Sequence, residues 1–321
     1  MFSGSQVALV TPMHPDGSID WNAWERLLEL HLDAGTAGVV VGGTTGESAT
    51  LTEAELIALL ERARPRLMGR VALIAGVGGS STAATVERVR RVSAAGVDGL
   101  LVATPAYSRP TQEGLYRHFE AVAAAASVPV VLYNVPARTA VDLLPATVAR
   151  LARLPGIVAI KEAAPGIARI HELLAATDRA FSVLSGDDAL AAEAMLAGAR
   201  GVVSVSANIV PKVIAQLCAA ALRGDAAASA RINGSVEALH AAMFVESNPI
   251  PVKWALAELG LIEPGIRLPL TPLSEAQHAT VRAALEPARR RASAADADSA
   301  LPRKPPEPLT HPDSVVQARL A

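Results

Sequence analysis

One lysine stands in an otherwise apolar strand-like run: IVAIKEA over 157–163 carries Lys161, followed by Glu162. An ammonium there costs free energy unless it is neutral or paired, and burial lowers the pKa of an amine. A neutral amine in such a place is a nucleophile toward a carbonyl and can form a Schiff base. The same run also permits a lysine that snorkels outward or pairs with the adjacent Glu162. Of 29 basic residues only four are lysines, Lys161, Lys212, Lys253 and Lys304, so candidates for an amine nucleophile are few.

Schiff-base chemistry needs a proton carrier at each of its steps. Two of the three tyrosines close apolar runs, Tyr107 in ATPAYSRP and Tyr133 in YNVPART. A tyrosine hydroxyl held beside an ammonium or another hydroxyl can move such protons. Each tyrosine taken alone is equally a half-buried filler of a core layer. Thr44 and Thr45, flanked by glycines in GGTTGES, could turn hydroxyls and backbone N–H groups toward an anion, although the segment alone also reads as a plain turn. Glu47, Asn134, Arg138, Gly186 and Asp187 occupy comparable places at the ends of apolar runs.

Residues so far apart in sequence must be gathered by a regular frame. Eight short β-branched runs recur: 7–10, 38–43, 71–77, 99–105, 128–136, 157–163, 181–188 and 201–208. Most are continuously apolar, as in parallel strands covered on both faces. Their starts lie 20 to 33 residues apart, which fits one strand and one crossover helix per unit. The intervening WNAWERLLELHLDAG places Trp21, Trp24, Leu28 and Leu32 on one side, with Asp20 as N-cap and Gly35 as stop. Thr52 followed by Glu55 predicts a capping box. Eight such units predict an α/β fold of the (β/α)8 TIM-barrel type, whose chemistry gathers at the C-terminal ends of the strands. The runs named above end there. A doubly wound sheet would show a nucleotide loop, and the nearest approach, GVGGSS at 76–81, has Ser81 where the dinucleotide pattern needs glycine.

The predicted organisation is a catalytic barrel over 1–224, a helical region over 225–291 packed on it, and a disordered tail over 292–321. Helical patterns cover 225–244, 248–260 and 274–291, and the last segment holds five prolines with no apolar periodicity.

Composition removes several classes. Of 321 residues, 51% are hydrophobic and 19% charged, enough for a large core. A formal net charge of −2 carries no basic footprint for nucleic acid. The single cysteine, Cys218, excludes an internal disulfide framework, and the seven scattered histidines show no metal spacing. No apolar run approaches the ~20 residues of a membrane span. The opening MFSGSQVALVTPMHPDG lacks a basic n-region, which argues against a signal peptide. A cytoplasmic protein without metal is the expectation.

Taken together, GSQVALVTPM, GTTGESATL, TPAYSRPTQEGLYRHF, LYNVPARTAVDLLP, AIKEA, LSGDD and FVESNPIPVKWAL closely resemble the dihydrodipicolinate synthases of the pyruvate-dependent class I aldolase superfamily. The resemblance spans roughly residues 1–291. GTTGE followed by YNVPART separates this branch from the similar sialate lyases. It implies a lyase that condenses pyruvate with L-aspartate 4-semialdehyde in lysine and diaminopimelate biosynthesis. No separate cofactor is implied, because Lys161 itself forms the covalent imine. Tyr133 would be the general acid and base, and Thr44 would relay protons between Tyr133 and Tyr107. In the family this last tyrosine reaches in from a neighbouring subunit, which implies a tight dimer, most often within a homotetramer. Thr44 and Thr45 would hold the pyruvate carboxylate, Arg138 the aldehyde's carboxylate, Gly186 would offer backbone to the second substrate, and Val205 would line the pyruvate methyl. The rival readings are another aldolase or hydratase of the superfamily and a non-catalytic keto-acid-binding paralogue.

The resemblance breaks at one place. Members inhibited by lysine bind it near this site at the dimer interface. Ser48 and Ala49 match that site, but the histidines, asparagine, glutamate and second tyrosine expected with them are replaced here by Glu53, Leu56, Ser80, Ala84 and Ala106. Weak lysine inhibition, or none, is the expectation.

Overall fold

A computed structural model of the chain describes residues 2–300, with side chains through 293. Eight parallel strands close into a barrel in sequence order: β1 Gly4–Ala8, β2 Gly38–Val41, β3 Ala72–Val77, β4 Gly99–Ala103, β5 Val130–Asn134, β6 Ile157–Glu162, β7 Ser182–Ser185 and β8 Gly201–Ser204. The seam is the β1–β8 pair, with Gly4 opposite Gly201 and Val7 opposite Ser204. The predicted fold is the observed one.

Strand alternation sorts the apolar residues into two cores. Ala8, Val40, Ile74, Leu101, Val131, Ala159, Leu184 and Val203, one from each strand, form a belt inside the barrel. Phe2 and Tyr133 belong to the same cluster. The intervening positions, such as Val39, Leu73, Leu100, Leu132, Ile160 and Val183, pack outward against the helices. This second layer is the larger, and it explains why the strand sequences read as continuous apolar runs.

Local signals set the helix boundaries. Asp20 caps helix Trp21–Asp33 by accepting from Ala23 N. Thr52 and Glu55 form the reciprocal capping box of helix Glu53–Leu67. Three expectations need correction. β1 begins at Gly4 rather than Val7, because pairing with β8 extends it backward; beyond it, the Val10 N–H donates to the side chain of Asn208. The helix predicted over 225–244 is two, Ala226–Gly234 and Glu237–Ala242, broken after Gly234, where the Ser235 hydroxyl turns back to the Ile232 carbonyl. The last helix runs Glu275–Ala300, nine residues past the predicted end, through the alanine-rich ASAADADSA. The remainder of the predicted disordered tail, 301–321, lies outside the described residues. Among the described residues no helix is long and apolar enough to cross a membrane.

Candidate active site

β5 and β6 pair with Tyr133 opposite Lys161 and Asn134 opposite Glu162. Alternation sends the first pair into the barrel and the second outward. Lys161 and Tyr133 are both buried, and the Lys161 Nζ lies 4.2 Å from the centre of the Tyr133 ring. The outward pair is locked. Asn134 Nδ2 donates to both Glu162 oxygens at 3.0 and 3.1 Å and to Asp142 at 2.8 Å, while Ala164 N donates to Glu162 at 2.6 Å. Arg169 closes the network on Asp142 with two bonds of 2.8 Å. Burial pushes the Glu162 carboxyl above its usual range, and the Arg169 guanidinium holds Asp142 below its own. Glu162 is thus committed on the outer face and does not pair with Lys161, which removes one of the readings the sequence left open.

The other lysines also sort themselves. Lys253 is buried in an ion pair with Glu47, and burial lowers its pKa. Lys304 is outside the described residues. Lys212 lies on helix Pro211–Leu222 and, like Lys253, does not line the cavity at the barrel mouth, so among the described residues Lys161 is the lysine that does.

A cavity of about 860 Å³ opens above it. Thr44, Thr45, Tyr133, Arg138, Lys161, Gly186 and Val205, seven of the eight predicted site residues, line it. Thr44 and Thr45 sit in the turn after β2, closed by Gly46 N to Gly43 O and Glu47 N to Thr44 O. Among the described residues their own N–H groups donate no backbone hydrogen bond, so they remain available to an anion. Arg138 projects from the short helix Pro136–Thr139 that follows β5. Gly186 leaves room for the amine: a Cβ there would lie 2.8 Å from Ala163 Cβ and 3.1 Å from Lys161 Cε. Val205 directly follows β8, and its N–H donates to the buried Asp188 carboxylate at 2.9 Å.

The eighth residue stands apart. Tyr107, at φ 71°, is 94% exposed and does not line this cavity. The turn after β4 throws it outward, so within one chain it cannot serve Lys161. A second cavity of about 400 Å³ shares Thr44 and Tyr133 with the first and is lined by Ser48, Ala49, Ser80, Arg88 and Ala106. Of the positions expected to form an effector site, Glu53, Leu56 and Ala84 do not line it; Leu56 is in the core and Glu53 is engaged by Arg91.

Sequence reasoning missed part of the wall. His240, Phe244, Ser247 and Asn248 come from the helical region after the barrel. Strand-end logic does not reach them, and the one available signal, the FVESNPIPVKWAL motif, begins at Phe244 and leaves out His240. His14, Asp20 and Glu263 form a cluster of metal-ligating types that is not part of this cavity; Asp20 caps its helix there and His14 bonds Glu263 at 3.0 Å.

Comparisons with known proteins bear on the family and the fold. The sequence profile of the Dihydrodipicolinate synthetase family matches residues 1–288. The 4-hydroxy-tetrahydrodipicolinate synthase of Ectopseudomonas mendocina is 50% identical over 89% of this chain and 98% of its own length. That of Nitrosococcus oceani is 51% identical over the same shares. Among solved structures, a chloride-inhibited dihydrodipicolinate synthase of Acinetobacter baumannii, complexed with pyruvate, superposes with a TM-score of 0.88 at 46% identity, covering 90% of this chain and 99% of that one. The enzyme of Thermotoga maritima gives 0.88 at 40% identity over the same shares. Profile, sequence and structure agree over the whole barrel and its helical region: the chain belongs to the dihydrodipicolinate synthetase family.

Proposed function

We propose that this chain condenses pyruvate with L-aspartate 4-semialdehyde and closes the product ring, as a lyase of lysine and diaminopimelate biosynthesis. One observation carries the reading. A buried lysine amine meets a tyrosine in a cavity that also holds two separated anion holders, the Thr44–Thr45 turn and Arg138. Two carboxylate substrates need two such holders.

The chemistry follows from these positions. With its carboxylate on the Thr44 and Thr45 N–H groups, pyruvate presents its ketone to Lys161 Nζ. Attack forms a carbinolamine, and Tyr133 supplies the proton with which the hydroxyl leaves as water. The imine acidifies the pyruvate methyl beside Val205, and loss of a methyl proton gives the enamine. Arg138 holds the carboxylate of the semialdehyde, so that the enamine carbon adds to the aldehyde carbon. The substrate amino group then attacks the imine carbon, closes the ring and releases Lys161. The covalent carrier is the chain's own amine, and no cofactor enters these steps.

Tyr107 serves the relay of a neighbouring copy, with Thr44 between it and Tyr133. Its exposure supports this, since a hydroxyl turned away from its own cavity is free to enter another. The working unit is therefore at least a dimer, and a tetramer in the family's usual form. A cytoplasmic setting suits a chain whose one cysteine, Cys218, is buried and unpaired.

The test is a coupled assay with both substrates, together with borohydride reduction in pyruvate. Wild-type protein gains a pyruvate-derived adduct on Lys161 and turns over; Lys161→Ala does neither. A wild-type protein that forms the adduct but prefers a sugar-derived aldehyde would overturn the substrate assignment.

A further inference from the structure

Asn248 belongs to no barrel strand, yet it touches both anion holders. Its side-chain Nδ2 donates to Thr45 Oγ1 at 3.0 Å, and its backbone carbonyl accepts from Arg138 Nη2 at 3.0 Å. It lines the cavity and is only 6% exposed. The segment that carries it is pinned to the same turn a second time. Lys253, five residues on, pairs with Glu47, two residues after Thr45, and both are buried. The second Glu47 oxygen accepts from Arg267 N at 3.0 Å.

We propose that Asn248 is a positioning residue that couples the two carboxylate holders, so that the segment after the barrel sets the affinity for both substrates. The proposal rests on the reading of the site given above. A threonine hydroxyl has one proton and two lone pairs. With a lone pair taken by Asn248 Nδ2, the Thr45 hydroxyl keeps its proton for an anion and loses rotational freedom. The same residue's carbonyl occupies one Arg138 N–H and aims the remaining fork at the cavity. Each holder is thereby oriented before a ligand arrives, and displacement of Asn248 loosens both.

The experiment is steady-state kinetics in each substrate, with direct measurement of pyruvate binding in the absence of the aldehyde. Asn248→Ala should weaken pyruvate binding about tenfold and raise the semialdehyde KM severalfold in the same direction, as expected when a hydrogen bond supporting a charged ligand is lost. Thr45→Val breaks the bond from its other end. The double variant Thr45→Val/Asn248→Ala should bind pyruvate no more weakly than Thr45→Val alone, and Thr45→Ser, which retains the hydroxyl, should recover near-wild-type values. If Asn248→Ala does not fold, Thr45→Val decides the matter through the second substrate: its semialdehyde KM should also rise severalfold, and an unchanged semialdehyde KM overturns the proposal. Pyruvate binding within twofold of wild type in Asn248→Ala overturns the proposal. A rise confined to the semialdehyde KM also overturns it, because that is the signature of a direct contact with the second substrate. Borohydride trapping keeps the two levels apart: absence of a Lys161 adduct in wild-type protein refutes the underlying site, whereas an adduct with unchanged Asn248→Ala kinetics refutes the coupling alone.

Discussion

Lys161 and Tyr133 are neighbours across a strand pair, and the amine lies 4.2 Å from the centre of the aromatic ring. The carboxamide and carboxylate of the next residues, Asn134 and Glu162, bond on the opposite face of the same two strands. One register therefore sets both the inward pair and the outward clamp behind it.

Removing the Tyr133 hydroxyl leaves this packing in place and takes away the proposed proton carrier. Tyr133→Phe should lower kcat by about 10²- to 10⁴-fold while the pyruvate KM changes little. Imine trapping by borohydride should slow in parallel. A variant with kcat within a few-fold of wild type would assign proton transfer elsewhere.

Gly186→Ala tests the space around the amine. The new Cβ would meet Ala163 Cβ at 2.8 Å, the Glu162 carbonyl at 2.9 Å and Lys161 Cε at 3.1 Å. The lysine must shift, and a displacement near 1 Å at a reacting group costs on the order of 10²-fold in rate. The expected outcome is a folded protein by circular dichroism with turnover reduced by about that factor.

Tyr107 and Lys161 can be separated by complementation. Tyr107→Phe and Lys161→Ala chains should each be weak alone. Co-expressed, they should regain part of the activity, since a mixed dimer contains one site with an intact Lys161 and an intact Tyr107 from the other chain. Mixed preparations no more active than the sum of the two would place Tyr107 outside catalysis.

Lysine should inhibit this chain weakly or not at all. The cavity beside Thr44 and Tyr133 is lined by Arg88 and by no carboxylate, so an added ammonium meets a like charge without a partner. Half-inhibition at sub-millimolar lysine in a steady-state titration would contradict this.

His31 predicts an acid limit to stability. It is fully buried beside the Thr36 hydroxyl, 2.9 Å away, and burial pushes its pKa down to about 3. Its neutral form contributes stability in full above the unfolded value near 6.5, and this is lost as pH falls toward the folded value, because only the unfolded chain takes up the proton. Urea titrations at pH 7 and pH 5 should differ by about 2 kcal/mol from this group, and His31→Gln should flatten the difference.

Much of this was legible in the residues. The eight runs are β-branched and apolar because both faces of each strand are covered, and that pattern is visible without coordinates. Asp20 and the Thr52–Glu55 box act within three residues of themselves, so their caps could be read directly. Where local signals were weak, expectation and structure parted: Gly234 and Ser235 split a helix that apolar periodicity alone had joined.

The sequence by itself determined the repeating strand–helix frame, and with it that Lys161, Tyr133 and the Thr44–Thr45 turn come to one end of a barrel. These follow from period and from strand-end position, which are local properties. Only the tertiary structure decided which face each side chain takes and what it meets. Strand register turned Lys161 inward and Glu162 outward, the turn after β4 put Tyr107 in solvent, and Asn248 met Thr45 across 203 residues. Contacts of that range depend on how the closed barrel and the helices after it pack, which no short window of residues encodes.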